Sequence, residues 1–458
     1  MSPLFGTDGV RGIPGRPPLT PAEVRRLGRA AGEVFLRARR RVNGTPPYVL
    51  MGRDTRDSGP ALGRALAQGF AAAGCVTRDL GVIPTPGVSY LAARRGALCG
   101  VVISASHNPP EFNGIKFFSG DGFKLPVQLE RRIESAFRAG PALRAKPLGR
   151  MFSRDADGMS DYLDFLRSTF PPTLGLAGRR IVVDASNGAA AAIAPGLLRG
   201  LGAEVFAIGC APDGANINKG CGALATERMR RAVVRRKADA GVALDGDADR
   251  AVFADEKGRL LDGDALIALA ALTLERQGLL RGGKVALTVM SNLGLINFLA
   301  SRGIGTVQVP VGDRNVTDAI MAEGLSLGGE NSGHIVYRRL APTGDGLLTA
   351  LQTLAAWLES GRRISAVRTL YRVYPQILKN IRIDRRVPLA GLNHFQRALR
   401  ACEKKLGSGG RVFVRYSGTE PLLRILVEGR APGMIKEIAD ELSRVFLEEV
   451  EAKLAKGV

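Results

Sequence analysis

The sequence predicts an α/β protein of several domains: three α/β units of similar plan, followed by a smaller α+β module. Three observations carry that expectation. Through the first two-thirds of the chain, apolar runs of strand length alternate with stretches of helical period, the pattern of helices layered on sheets. The alternation restarts after the polar stretch 154–160 and again near Asp262, while the last quarter groups strands and helices differently. Finally, 458 residues exceed one ordinary core, and length alone suggests about three domains.

The elements follow in order. Thr20-Pro21-Ala22-Glu23 starts a helix, because Thr20 can cap, Pro21 suits the first turn and Glu23 completes a capping box. That helix runs to about residue 39. Residues 48–51 read as a buried strand, 58–73 as a helix, and 99–103 as a strand stopped by the polar, proline-bearing segment 104–113. In the second round, 180–184, 204–208 and 241–244 are strands, and 189–201 and 226–236 are helices. The third round has helices at 265–276, 313–323 and 345–359, with strands at 285–290 and 306–309. The last quarter has strands at 379–383, 411–414 and 423–427, a helix near 391–405 and a terminal helix from Pro432. The expected domains are therefore 1–153, 154–258, 259–370 and 371–458. Their repetition is one of plan, without an obvious sequence repeat.

Composition narrows the class. Apolar residues make up 45% and charged residues 24%, ordinary values for a water-soluble chain. The longest mostly apolar run, 265–274, is half of the roughly 20 residues that a spanning helix needs, so no membrane is expected. The first residues carry neither a basic nor an apolar leader pattern, and five scattered cysteines without a CxxC pair fit a reducing cytoplasm. The formal charge of +22 suits an anionic partner. The arginine-rich patches at 37–41 and 235–237 lie on or beside helical stretches, and aromatics are only 5% of the chain. A solvated basic surface is therefore expected rather than a nucleic-acid site.

Four polar loops carry chemistry. Ser104-Ala105-Ser106-His107-Asn108-Pro109 ends a buried strand, and Lys116 follows closely. Ser106 beside His107 and Lys116 is a candidate nucleophile with cations to balance charge, while an inert Asn-Pro turn stays open from this loop alone. Asp245, Asp247 and Asp249 alternate in a tight loop, where they repel one another unless a hard cation sits among them. Oxygen ligands favour magnesium or calcium. An EF-hand is excluded because Arg250 occupies the position that needs glycine and the flanks read as strands. Glu330, Asn331, Ser332 and His334 lie in a glycine-rich turn suited to recognising hydroxyls. Arg415, Ser417, Gly418 and Thr419, with Arg424 beyond, gather guanidinium and hydroxyl donors as a phosphate cradle would. His394 falls in a helical stretch and is given no role.

These four loops, in this order and spacing, resemble the α-D-phosphohexomutase superfamily over essentially the whole chain, and its amino-sugar branch most of all. The opening Phe5-Gly6-Thr7-Asp8-Gly9-Val10-Arg11-Gly12 is similar to that branch. So are Ile83-Pro84-Thr85-Pro86-Gly87, Asn216-Ile217-Asn218 with Cys221-Gly222, Val311-Gly312-Asp313-Arg314 and Thr343-Gly344-Asp345-Gly346. The resemblance implies mixed sheets sandwiched by helices in three domains, with a fourth, smaller domain, around a central cleft. It implies a phosphoserine at Ser106 and magnesium held by Asp245, Asp247, Asp249 and a phosphoserine oxygen. Glu330, Asn331 and Ser332 would recognise the sugar, and Arg415, Ser417, Gly418, Thr419 and Arg424 the phosphate that is not reacting. Arg11, His107, Lys116, Arg250 and His334 would supply charge or proton transfer. The implied reaction interconverts glucosamine 6-phosphate and glucosamine 1-phosphate through a sugar 1,6-bisphosphate. The same chemistry on mannose or glucose phosphates is the alternative, and a non-catalytic basic nucleic-acid binder the alternative of another class. The resemblance leaves a homodimer open. Two positions depart from the branch: Asn331 replaces the usual Gln with a shorter amide, and Ala248 replaces Gly. Ala248 adds one methyl between two of the aspartates and is expected to be tolerated if its backbone stays at a negative φ.

Overall fold

In each of its three α/β layers the chain builds a short parallel core and then reverses into an antiparallel hairpin. The structure, a computed structural model, describes residues 3–6, 8–38, 47–140, 144, 147–417 and 421–455. Thr7, Gly418, Thr419, Glu420 and the end of the first arginine patch, 39–41, lie outside them. The described chain divides into two units, one of Met1–Ser291 with Arg302–Leu370 and one of Asn292–Ser301 with Tyr371–Val458.

In the first unit, a six-stranded sheet runs in the order Val10–Gly12, Asn113–Ser119, Cys99–Ile103, Tyr48–Arg53, Val76–Val82, Phe152–Arg154. The last four are mutually parallel and the first two pair antiparallel. The five-stranded sheet Leu260–Leu261, Ala251–Asp255, Ala240–Leu244, Arg180–Asp184, Glu204–Ile208 repeats the plan: parallel from Ala240–Leu244 onward, antiparallel before it. A four-stranded sheet, Gly305–Val309, Lys284–Thr288, Leu327–Gly329, Ile335–Tyr337, repeats it again. The sheets are thus mixed, as the resemblance implied.

The helices form where local chemistry starts them. The first spans Pro21–Ala38, with the Glu23 amide donating to Thr20 Oγ1 at 3.3 Å and the Thr20 hydroxyl donating to Glu23 Oε2 at 2.7 Å. Val24, Leu27, Ala31, Val34 and Phe35 recur at helical spacing and are buried against the first sheet's core. This helix packs on Gly59–Ala72 with the backbones nearly touching. A Cβ on Gly69 would sit 2.7 Å from the Arg29 nitrogen and 2.8 Å from Gly28 Cα. The expected helix 189–201 is shorter, Ala194–Gly200, because 189–193 turn under the carboxylate loop 245–250, where the Ala189 amide donates to the Gly246 carbonyl at 2.8 Å.

The second unit is a three-stranded antiparallel sheet, Gln376–Arg382, Leu422–Gly429, Gly410–Tyr416, covered by Asn393–Leu406 and Pro432–Ala455. The helix Leu293–Ser301 belongs to it: the Leu293 amide donates to Glu428 Oε1 at 2.9 Å, and Asn292 Nδ2 to the Tyr374 carbonyl at 2.9 Å. Among the described residues no helix is long and apolar enough to cross a membrane. All five cysteines are free, four of them buried.

Candidate active site

Three of the predicted loops occupy equivalent places in the first unit. Each joins a parallel strand to its antiparallel neighbour: 104–112 follows Cys99–Ile103, 245–250 follows Ala240–Leu244, and 330–334 follows Leu327–Gly329. Turns at strand ends leave side chains projecting from a sheet edge, and here the three edges meet.

Ser106 is buried with a left-handed backbone, φ 51°, and its hydroxyl donates to Asp245 Oδ2 at 2.7 Å. His107 Nδ1 lies 3.3 Å from Ser106 Oγ. Burial, then the charges of Arg250 and Arg11, pulls the His107 imidazole down to about 4, so it is neutral near pH 7. The loop beneath Ser106 is held by Arg56, which is fully buried with Asp54. Its guanidinium donates to the carbonyls of Ser106, Asn108, Pro109 and Phe112.

Asp245, Asp247 and Asp249 bring carboxylate oxygens within 4.8 Å of one another, all buried. Asp247 Oδ2 accepts from Thr85 Oγ1 at 2.6 Å and from Lys116 Nζ at 2.9 Å. Burial, Asp249 and Asp247 together push the Asp245 carboxyl well up. Burial would raise Asp249 too, but His334, Lys116 and Arg250 hold it below the usual carboxylate range. Asp247 Oδ1 and Asp249 Oδ1 are buried without a hydrogen-bond partner. Converging, partly orphaned carboxylate oxygens fit a hard divalent cation.

Ala248 corrects an expectation: its φ is 58°, left-handed rather than negative. The turn demands it, since the Ala248 amide donates back to the Asp245 carbonyl at 3.0 Å while its own carbonyl accepts from the Gly346 amide at 2.9 Å.

Cations and the loop 330–334 close the set. Lys116 Nζ reaches Asp8 at 2.8 Å and Asp249 at 3.9 Å, and these acids with Asp247 outweigh its burial and raise its pKa. Arg250 Nε is 3.7 Å from Asp249 Oδ1; burial would lower its pKa, but the surrounding carboxylates raise it further. Arg11 is half-buried, pairs with Asp8 and lies 3.5 Å from Asn108 Oδ1. His334 Nδ1 is 3.7 Å from Asp249 Oδ2, its Nε2 is buried without a hydrogen-bond partner, and Asp249 outweighs burial to raise its pKa. Glu330 is buried and its Oε1 accepts from the Gly312 amide at 3.0 Å, with Ser332 Oγ 3.4 Å from Oε2. Asn331 and Ser332 stay half-exposed.

In the second unit, Arg415 and Arg424 stand directly opposite on adjacent strands, two like charges on one face, and Ser417 is buried at the strand end. Like charges directly opposite are costly unless an anion lies between them.

Sequence reasoning missed several participants. Thr85, Asp8 and Asp313 lay in quoted motifs without a role. Lys124, whose ammonium bridges Asp8 and Asp313, and the Asp54–Arg56 pair lay in none. Only the folded chain brings these segments together.

Four family models match in series: the phosphoglucomutase/phosphomannomutase alpha/beta/alpha domains I, II and III at residues 2–143, 160–258 and 262–374, and the C-terminal domain at 378–445. The chain is 46% identical to a phosphoglucosamine mutase of Rhodospirillum rubrum over 447 residues, 97% of this chain and 98% of that one. It is 45% identical to another from Paracoccus denitrificans, covering 96% and 97%. A solved phosphoglucomutase/phosphomannomutase family protein from Burkholderia thailandensis shares the fold with a TM-score of 0.81 at 23% identity, covering 98% of both chains. The N-acetylphosphoglucosamine mutase of Aspergillus fumigatus, solved with GlcNAc-6P and magnesium, shares it with a TM-score of 0.65 at 17% identity, covering 97% and 95%. The chain belongs to the phosphoglucomutase/phosphomannomutase family, within the branch of the phosphoglucosamine mutases that it matches over nearly its full length.

Proposed function

We propose that this chain is an isomerase that interconverts glucosamine 6-phosphate and glucosamine 1-phosphate, with Ser106 as the carrier of the phosphoryl group. The observation that carries this reading is the 2.7 Å contact between Ser106 Oγ and Asp245, which joins a nucleophile on one sheet to a carboxylate cluster on another. Transfer breaks the bond from phosphorus to Ser106 Oγ as phosphorus bonds to the anomeric oxygen of glucosamine 6-phosphate, and the anomeric hydroxyl gives up its proton. The return transfer breaks the bond from phosphorus to O6 as that phosphorus bonds to Ser106 Oγ, the serine hydroxyl proton ends on O6, and glucosamine 1-phosphate remains. Asp245, Asp247 and Asp249, with an oxygen of the phosphorylated Ser106, would hold magnesium. The ion would neutralise charge on the transferring group. Lys116 and Arg250, kept cationic by their acidic neighbours, stabilise the same charge. His107, neutral near pH 7, can take the hydroxyl proton, while Arg11 and His334 add positive charge. Glu330, Asn331 and Ser332 bind sugar hydroxyls. Arg415, Ser417, Gly418, Thr419 and Arg424 bind the phosphate that is not reacting. The domain division proposed above gives each of the first three domains one reacting loop, and a cytoplasmic location fits the five free cysteines.

A coupled assay with magnesium and a trace of sugar bisphosphate tests the reading on glucosamine 6-phosphate, glucose 1-phosphate and mannose 1-phosphate in parallel. Preference for glucosamine, lost in Ser106→Ala and on chelation of the metal, is the expected result. Preference for glucose or mannose moves the substrate assignment, and full activity in Ser106→Ala overturns the mechanism.

A further inference from the structure

One motif of the sequence is not used by the mechanism above. Asn216-Ile217-Asn218 lies outside the four reacting loops, yet Asn218 reaches the serine loop from the five-stranded sheet's side of the site. Its Nδ2 donates to the carbonyl of Ser106 at 2.8 Å and to that of Asn108 at 3.0 Å. The amide cannot usefully turn over: Oδ1 accepts from the Ser186 hydroxyl at 2.7 Å, and two carbonyls facing Nδ2 can only accept. The backbone is equally fixed, with φ 60°, a conformation Asn tolerates better than most residues, and an amide that donates to the Ser186 carbonyl at 2.9 Å.

The same two carbonyls take a second donor. Arg56 Nη2, within the serine loop's own domain, lies 3.1 Å from the Ser106 carbonyl and 2.8 Å from that of Asn108. The loop is therefore gripped between one donor of its own domain and one of the metal loop's domain. Gly246, inside the metal loop, makes the fit possible: a Cβ there would stand 2.6 Å from the Ser106 carbonyl oxygen and 2.8 Å from Asn218 Nδ2. Three segments meet at one peptide group directly behind the reacting hydroxyl.

We propose that Asn218 is a positioning residue for phosphoryl transfer: by holding the Ser106 and Asn108 carbonyls, it sets Ser106 Oγ against the carboxylates of the metal loop. The left-handed backbone of Ser106, φ 51°, is unfavourable for a residue with a Cβ and persists only where its surroundings enforce it. Arg56 enforces it within one domain. Asn218 ties it to the domain that supplies Asp245, so the Ser106 to Asp245 distance depends on this amide. The inference rests on the proposed role of Ser106, and the experiment separates the two.

Asn218→Asp keeps size and backbone preference but has no N–H to donate. Asn218→Gly removes the side chain and accepts a positive φ freely. Steady-state kinetics on glucosamine 6-phosphate, with melting temperatures, are measured for both beside the wild type. Since small misplacements of reacting groups cost up to about a hundredfold, kcat is expected to fall about tenfold or more in both variants while KM stays within about threefold. Melting temperatures should change by no more than a few degrees. Values of kcat within about twofold of wild type in the folded variants, or losses in kcat that merely track lowered melting temperatures, overturn the inference and leave the proposed function standing. A wild-type chain that turns over none of the phosphohexoses overturns the proposed function, and the inference with it.

Discussion

Ala248 sits in the middle of the carboxylate loop with a left-handed backbone, although its Cβ makes that conformation costly for any residue but glycine. Hydrogen bonds on both its sides hold it there, so the loop stores strain next to the residues that would bind metal. Replacing it should release that strain, partly offset by the greater freedom of glycine in the unfolded chain. Ala248→Gly is therefore expected to stabilise the fold by about 1 kcal/mol, visible as a higher denaturation midpoint with activity retained; a lower midpoint would show that the methyl packs favourably instead. At this scale the sequence was legible where a residue's chemistry declares itself. Ser106 beside His107, three alternating aspartates, and hydroxyls among arginines offer candidate site residues from the sequence itself. The residues that hold them do not. Asp54 and Arg56 fall in the polar run Arg53-Asp54-Thr55-Arg56-Asp57, which carries no motif, yet both are fully buried and paired. Lys124 likewise acquires its meaning only from Asp8 and Asp313, far away in sequence.

Among elements, the expectations that held were those with a strong local period or a stop signal. The strands Cys99–Ile103, Arg180–Asp184 and Glu204–Ile208 and the helix Asp313–Glu323 have the expected bounds. The antiparallel strand Asn113–Ser119 was not anticipated, because it begins directly after a polar loop whose residues mask the return of the chain, and Ala251–Asp255 was expected only as a strand flanking the carboxylate loop, without its antiparallel pairing. Without them the common hairpin plan of the three layers could not be seen. The packing of Pro21–Ala38 on Gly59–Ala72 was hidden too, since glycine in a helix reads as a weakness. Here it is the contact itself. Alanine favours a helix over glycine by about 1 kcal/mol, but at residue 69 its methyl would overlap the facing Arg25 and Arg29 backbone. Gly69→Ala is expected to destabilise by about 2 kcal/mol or more, read as a lowered denaturation midpoint. An unchanged or higher midpoint would mean that the helices can part without cost.

For the molecule as a whole, a formal net charge of +22 stands beside a site whose own centre is crowded with acids. Such a field draws phosphorylated sugars toward the protein from a distance, and salt weakens it over a Debye length of about 10 Å at 0.1 M. Raising salt from about 0.02 to 0.2 M should lower kcat/KM several-fold while kcat changes little; a kcat/KM indifferent to salt would remove steering from the account. The sequence did reveal this charge and the alternation of layers. What it concealed is that the C-terminal unit is not one continuous stretch of chain, but borrows Asn292–Ser301 from within the third round of strands and helices. That borrowing has a consequence for synthesis on the ribosome. The borrowed helix emerges roughly 70 residues ahead of the sheet that completes its unit, a wait of several seconds at about 5–20 residues per second. During that interval Asn292 and the Leu293 amide lack the Tyr374 and Glu428 partners that hold the start of the helix, and a product truncated after Leu370 would lack them permanently, leaving that segment a ready target for chaperones and proteases.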